Sequence, residues 1–170
     1  MTIDPDLGPS DAVVALRSLP RRYRAALAAV QAQDDPDEIA LRRGADGWTA
    51  IGHVVAASRA VGGAARALEE VLRSDEPVVE RAVVDANRRV EDPAPGGTIE
   101  ERVSELGWES DALAETADRV SARDWARAAK VPDRADPVTA LDVLRAAVEA
   151  GIDHLRAMEA TLVEVRGRPS

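Results

Sequence analysis

The side chains most able to do chemistry in this sequence are two histidines, His53 and His154. Neutral imidazole is the commonest nitrogen ligand for divalent ions such as zinc and nickel, and it can move a proton near neutral pH. The chain has no cysteine, which removes thiolate metal sites, disulfides and a cysteine nucleophile together. Asp153 precedes His154, but consecutive helical positions point about 100° apart, so the two do not readily share one ion. His53 and His154 are therefore the candidate metal ligands, one short of the three that a catalytic zinc normally takes from protein. The competing reading is that each is a packed or half-exposed helix residue. No catalytic or cofactor-binding residue follows from the pattern. There is no glycine-rich dinucleotide loop, P-loop, H-E-x-x-H or G-x-S-x-G. Gly62-Gly63 falls inside a helical pattern, where close packing explains it better than phosphate binding.

Both histidines sit beside the apolar seam of a long periodic segment, and four such segments stand out. The first runs from about Ser10 to Gln33, with Val13, Leu16, Tyr23, Leu27 and Val30 on its seam. Pro20 lies on that seam and is expected to kink or restart the helix, because it lacks the N–H a continuous helix needs. Asp34-Asp35-Pro36-Asp37-Glu38 breaks the pattern. The second segment opens at Trp48-Thr49, with Thr49 as N-cap, and carries Ile51, Val54, Ser58, Val61, Ala65, Leu68 and Leu72. One flank reads His53, Ala56, Ala57, Ala60, Gly63, Ala64 and Ala67, small enough to let another helix approach closely.

A shorter helical piece is expected from Val78 to Val90, then a linker at Pro93, Pro95, Gly96 and Gly97. The third long helix starts at Thr98, whose spacing to Glu101 is that of a capping box. Its seam is Ile99, Val103, Leu106, Ser110, Leu113, Ala117 and Val120. Ser121 to Asp124 has the same spacing and introduces a turn around Trp125. The last helix is expected to begin near Asp136-Pro137, with proline at the first helical position. Leu141, Leu144, Val148, Gly151, Leu155, Met158, Leu162 and Val165 carry it on, and Gly167 and Pro169 end it. Four long amphipathic helices with two long crossings between them make an all-α four-helix bundle, whose sites form where flanks of different helices converge. Trp48 reads as a plug at the start of its helix or as the lining of a pocket. Trp108 is out of phase with its seam and reads as half-exposed or as a partner contact. Trp125 reads as a cover over the bundle's end.

Composition fits this picture. A chain of 170 residues, 45% hydrophobic, makes one domain (1–170, core about 12–163) with a real core. The apolar set is mostly Ala, Val and Leu, with no Phe, three Trp and one Tyr, which suits closely packed helices better than a β-sandwich. The net charge of −9 argues against a nucleic-acid partner, since phosphate binding needs a concentrated basic surface. The densest basic cluster, Arg21-Arg22-Tyr23-Arg24, reads as an exposed helix face. No segment approaches the ~20 apolar residues of a membrane span. The acidic start, Met1-Thr2-Ile3-Asp4-Pro5-Asp6, lacks an apolar signal core, so the expected location is cytoplasmic, with no membrane partner.

Several short motifs, in order, carry a family resemblance. They are Leu19-Pro20-Arg21-Arg22-Tyr23, Trp48-Thr49-Ala50-Ile51-Gly52-His53-Val54, Glu76-Pro77, Ser121-Ala122-Arg123-Asp124-Trp125 and Asp153-His154-Leu155. Together they resemble the DinB-like superfamily, which includes metal-dependent thiol transferases and the mycothiol-dependent maleylpyruvate isomerase type. The resemblance runs from about residue 12 to 163. It implies a four-helix bundle with long crossover connections and a divalent ion held by three histidines. Of the three positions only His154 is retained; Ala56 and Ala150 stand at the other two. His53 matches a secondary histidine found in some members, one turn before the usual ligand.

The resemblance therefore implies a degenerate histidine triad. The expected protein has no resident cofactor and no tight metal site, and acts by binding a small molecule or by self-association, including as a homodimer. The alternative is a transferase or isomerase dependent on a divalent metal (zinc or nickel) and a low-molecular-weight thiol, with His53 and His154 near the ion. There the ion would lower the pKa of a bound thiol or water.

Overall fold

The structure, a computed structural model, describes residues 6–85 and 97–166. Four long helices dominate it: α1 (Pro9–Gln31), α3 (Ala50–Arg73), α5 (Ile99–Asp118) and α6 (Ala140–Arg166). Two short ones, α2 (Pro36–Ala40) and α4 (Arg81–Val84), sit in the connections. A 3-10 turn (Asp124–Ala126) and a two-stranded antiparallel ribbon, β1 (Ala128–Ala129) with β2 (Val138–Thr139), lead into α6. The fold is an all-α four-helix bundle. Within it α1 and α3 each pack against both α5 and α6.

The long helices begin where local chemistry dictates. Thr49 accepts the Gly52 N–H at 2.8 Å and starts α3. Thr98 and Glu101 form a full capping box at the head of α5, with bonds of 3.2 and 2.8 Å. α6 begins at Ala140, three residues beyond the expected proline start. Thr139 and Asp142 exchange side-chain-to-backbone bonds of 3.1 and 2.9 Å across that first turn. Val138 is meanwhile buried and paired with Ala129, which keeps Pro137 outside the helix.

Pro20 does not restart α1, which runs as a single element through it. Proline removes one backbone donor, and the packed seam on either side (Leu16, Leu19, Tyr23, Leu27, all fully buried) outweighs that loss. Each such leucine contributes about 2 kcal/mol by burial. Of the helix expected at 78–90, the described residues show Arg81–Val84; Val78 is instead drawn into a parallel bridge with Lys130, and the Val79 N–H donates to the Lys130 carbonyl. Its remainder after residue 85, with Pro93, Pro95 and Gly96, lies outside the described residues, as do Gly167 and Pro169.

Small residues set the helix approaches. A methyl at Gly151 of α6 would lie 2.6 Å from Leu19 Cδ1 of α1, and the Tyr23 hydroxyl donates to the Gly151 carbonyl at 2.8 Å. Burial pushes the Tyr23 phenol far above its ordinary pKa, so it stays a neutral donor. Ala57 and Ala64 on the small flank of α3 are fully buried. Arg21, Arg22 and Arg24 are exposed, as the solvated face they were expected to form. No helix among the described residues is long and apolar enough to cross a membrane.

Candidate functional site

His53 occupies the first turn of α3, immediately after the Thr49 cap, and its amide bonds to the Thr49 carbonyl at 3.2 Å. His154 lies at mid-length on α6. The bundle brings the two together: their Nδ1 atoms are 3.3 Å apart. Trp48 roofs both, stacking on His53 (centroids 4.9 Å, planes 18° apart) and on His154 (5.8 Å, 27°).

The roof is held by the strap that precedes α3. Arg43 and Thr49 form an antiparallel bridge, the Gly44 N–H donates to the Trp48 carbonyl at 2.8 Å, and Arg43 donates to the Gly47 carbonyl. Gly47 makes the return bend at φ +85°, a conformation that favours glycine. Asp46 accepts the Trp48 N–H at 2.9 Å, fixing where the indole begins. Glu164 of α6 accepts the Ala45 N–H at 2.7 Å and ties the strap to the helix that carries His154. A side chain at Gly44 would crowd Asp46, Glu164 and Thr161 at 3.2–3.3 Å, so the strap lies close against α6.

The second face of His53 points toward oxygen. Its Nε2 is 3.5 Å from Thr161 Oγ1 and 3.7 Å from Asp46 Oδ2. Acceptors near Nε2 favour the proton there, which leaves His53 Nδ1 as acceptor and His154 Nδ1–H as donor between the rings. Burial holds His53 neutral, pushing its pKa down to about 4, with His154 adding to the fall and Asp46 opposing it. The positive end of α3 works in the same direction as burial. Burial likewise lowers His154, against the pull of Asp153. At neutral pH the site is two uncharged imidazoles sharing a hydrogen bond under an indole.

A divalent ion fits this donor set poorly. Two nitrogens on a tetrahedral zinc would be about 3.3 Å apart, so the pair has a suitable spacing. The set ends there. No group of three or more His, Asp or Glu side chains that could hold an ion occurs among the described residues. Asp46 approaches His53 from the Nε2 side, away from the nitrogen that faces His154, so it does not complete a centre on the Nδ1 pair. Ala56, one turn on from His53, and Ala150, one turn before His154, offer only methyl groups.

The structure thus unites the two candidate histidines and adds Trp48, which lines the site instead of merely plugging a helix end. Asp46, Thr161 and Glu164 were missed. Only Asp46 left a signal, in the Asp46-Gly47 turn pair two residues before the tryptophan. Trp125 is partly buried against the core, while Trp108 is 74% exposed, more than its phase suggested.

Neither a protein-family model nor a curated protein sequence matches the chain. Among solved structures it is similar to YfiT from Bacillus subtilis, described as a probable metal-dependent hydrolase with an unusual four-helix bundle topology. The TM-score is 0.72 at 16% identity, over 96% of this chain and 90% of that one. At that identity the likeness speaks to the fold alone, and it supports the four-helix bundle expected from the sequence.

Proposed function

We propose that this chain is a DinB-like bundle that has given up tight metal binding and now acts by binding a small molecule. The observation that carries this reading is the closed histidine pair. His53 and His154 satisfy each other at 3.3 Å beneath Trp48, with alanine at both positions where the resemblance implies further ligands. Methyl groups at Ala56 and Ala150 suit close helix packing and offer an ion nothing. The bundle scaffold is retained, so the loss is confined to the ligand set.

The test is metal content by elemental analysis on untagged protein, before and after challenge with zinc and nickel, alongside thermal melts. The expected result is far less than one ion per chain and a melting temperature that metal does not move. A site saturated at a hundred times its Kd would add about 2.7 kcal/mol, a shift no melt would miss. The double variant Ala56→His/Ala150→His serves as the positive control and is expected to take up the ion that the native chain does not.

One observation favours a second reading, a thiol-using transferase or isomerase dependent on a divalent metal: the 3.3 Å spacing suits two ligands on one ion. A stoichiometric ion in native protein, lost on His154→Ala, would establish that reading and sink the first.

A further inference from the structure

The opposite end of α3 carries a cleft unrelated to the histidines. It has a volume of about 510 Å³ and lies between Asp75-Glu76-Pro77 and the segment from Ala128 to Pro137. That is within the usual range for small-ligand sites. From His53 to the end of α3 is about 30 Å at 1.5 Å per residue, so the two places are independent.

Backbone bonds build the cleft's walls. Arg127 caps the last turn of α3, donating to the Val71 carbonyl at 2.9 Å and the Ser74 carbonyl at 2.7 Å. The next residues form a three-segment ladder. Lys130 N–H donates to the Pro77 carbonyl at 3.0 Å, Val79 N–H donates to the Lys130 carbonyl at 2.9 Å, and β1 pairs with β2. Pro77, Ala129 and Val131 are buried and give the cleft an apolar base. Four charged residues line it: Asp75, Glu76, Lys130 and Arg134.

Those four charges converge on one concavity. Elsewhere some surface acids and bases pair, as in Arg17–Asp118, Arg42–Glu38 and Arg81–Asp85, and others such as Asp111 and Glu115 point singly into solvent. Around the cleft, two acids and two bases share one concavity, yet none of their side chains has a partner among the described residues. A simple anion there would meet two carboxylates, and a simple cation two basic groups. A ligand carrying both signs satisfies the lining, and the apolar base accommodates an aliphatic body.

We propose that this cleft binds a small zwitterion of the amino-acid or short-peptide class, its carboxylate on Lys130 and Arg134 and its ammonium on Asp75 and Glu76. The proposal gives the small-molecule reading above a site and a ligand chemistry, and it rests on that reading only for its motive.

The experiment titrates isotope-labelled protein with the dipeptide alanyl-leucine and with its N-acetylated and C-amidated forms, following the amides from Ala128 to Val131. Saturable shifts are expected with the free dipeptide, and each blocked form should bind about tenfold more weakly, one charge-assisted contact having been lost. Lys130→Gln/Arg134→Gln should abolish the preference for a free carboxylate, and Asp75→Asn/Glu76→Gln that for a free amine. Equal binding of all three peptides, or no saturable shift at millimolar peptide, overturns the proposal. His154→Ala is expected to leave the titration unchanged, and metal uptake at the histidines would not alter it. The two readings therefore fail separately.

Discussion

Substituting glutamine for His53 tests whether the imidazole pair is held neutral by its surroundings. The ring is 3% exposed and its pKa is pushed from 6.5 to about 4. Between those values the unfolded chain binds a proton that the folded chain refuses. Stability therefore falls as pH drops through 6.5, and the loss is complete below about 4. For a single group with those two pKa values, the loss between pH 7 and pH 5 is about 2 kcal/mol. His154, also lowered, adds in the same direction, while Asp46 and Asp153 oppose the shifts of the rings they face.

The assay is urea unfolding of the native protein and His53→Gln at pH 7, 6 and 5. Native protein is expected to be the more stable at pH 7, where the ring is neutral and packed. Its advantage should then shrink by about 2 kcal/mol by pH 5, or about 4–8 °C in melting temperature for a chain of this size. Two profiles that stay parallel across that range would refute the reasoning, since His53 would then titrate alike in the folded and unfolded chain.

Three further outcomes follow from the packing. Gly62→Ala and Gly151→Ala place a methyl 2.6 Å from a neighbour in each case, yet they should differ in sign. Glu109 can swing away from position 62, leaving up to about 1 kcal/mol of helix propensity to be gained, while buried Leu19 cannot leave position 151, costing about 1–3 kcal/mol; chemical denaturation of both variants checks the contrast. Arg127→Met should lose about 2 kcal/mol by uncapping α3, with hydrogen exchange rising first in the last turn of that helix and unchanged exchange there counting against the clamp. Trp48→Ala should cost about 2 kcal/mol and open both imidazoles to water, so that nuclear magnetic resonance titration finds their pKa values moved up toward 6.5; unmoved values would mean that the indole is not what keeps them dry.

The bundle was legible because long apolar seams and caps are local. Thr49 and Thr98 each cap the helix that their spacing implied, and seam residues such as Val13, Val61, Leu106 and Leu144 are all buried. Misjudged elements are those in which tertiary bonds override local preference. Pro137 looked like a helix start until Val138 paired with Ala129, and the start of the 78–90 pattern gave way where Val78 and Val79 met Lys130. The site divides in the same way. The histidines stood out by residue type, but the strap from Arg43 to Trp48 is fixed by Glu164, 119 residues beyond the Ala45 amide it accepts from. No sequence period encodes that contact.

That strap helps to seat a buried pair of imidazoles inside the bundle. A buried imidazole is a polar ring and destabilises the fold unless something satisfies it. Here each histidine supplies the other's partner, and the indole of Trp48 replaces water above them. The arrangement needs both rings, which makes single substitutions more costly than removal of the pair. His154→Ala alone strands His53 Nδ1 beneath the indole, whereas replacing both histidines by leucine leaves an apolar roof over an apolar floor. The double variant is therefore expected to be more stable than either alanine single variant, and most clearly so at pH 5, where the unfolded chain of a single variant binds a proton that its buried remaining histidine resists. An ion bridging the rings would be lost from the single and double variants alike, so a double variant no more stable than the alanine single variants would refute the mutual pairing.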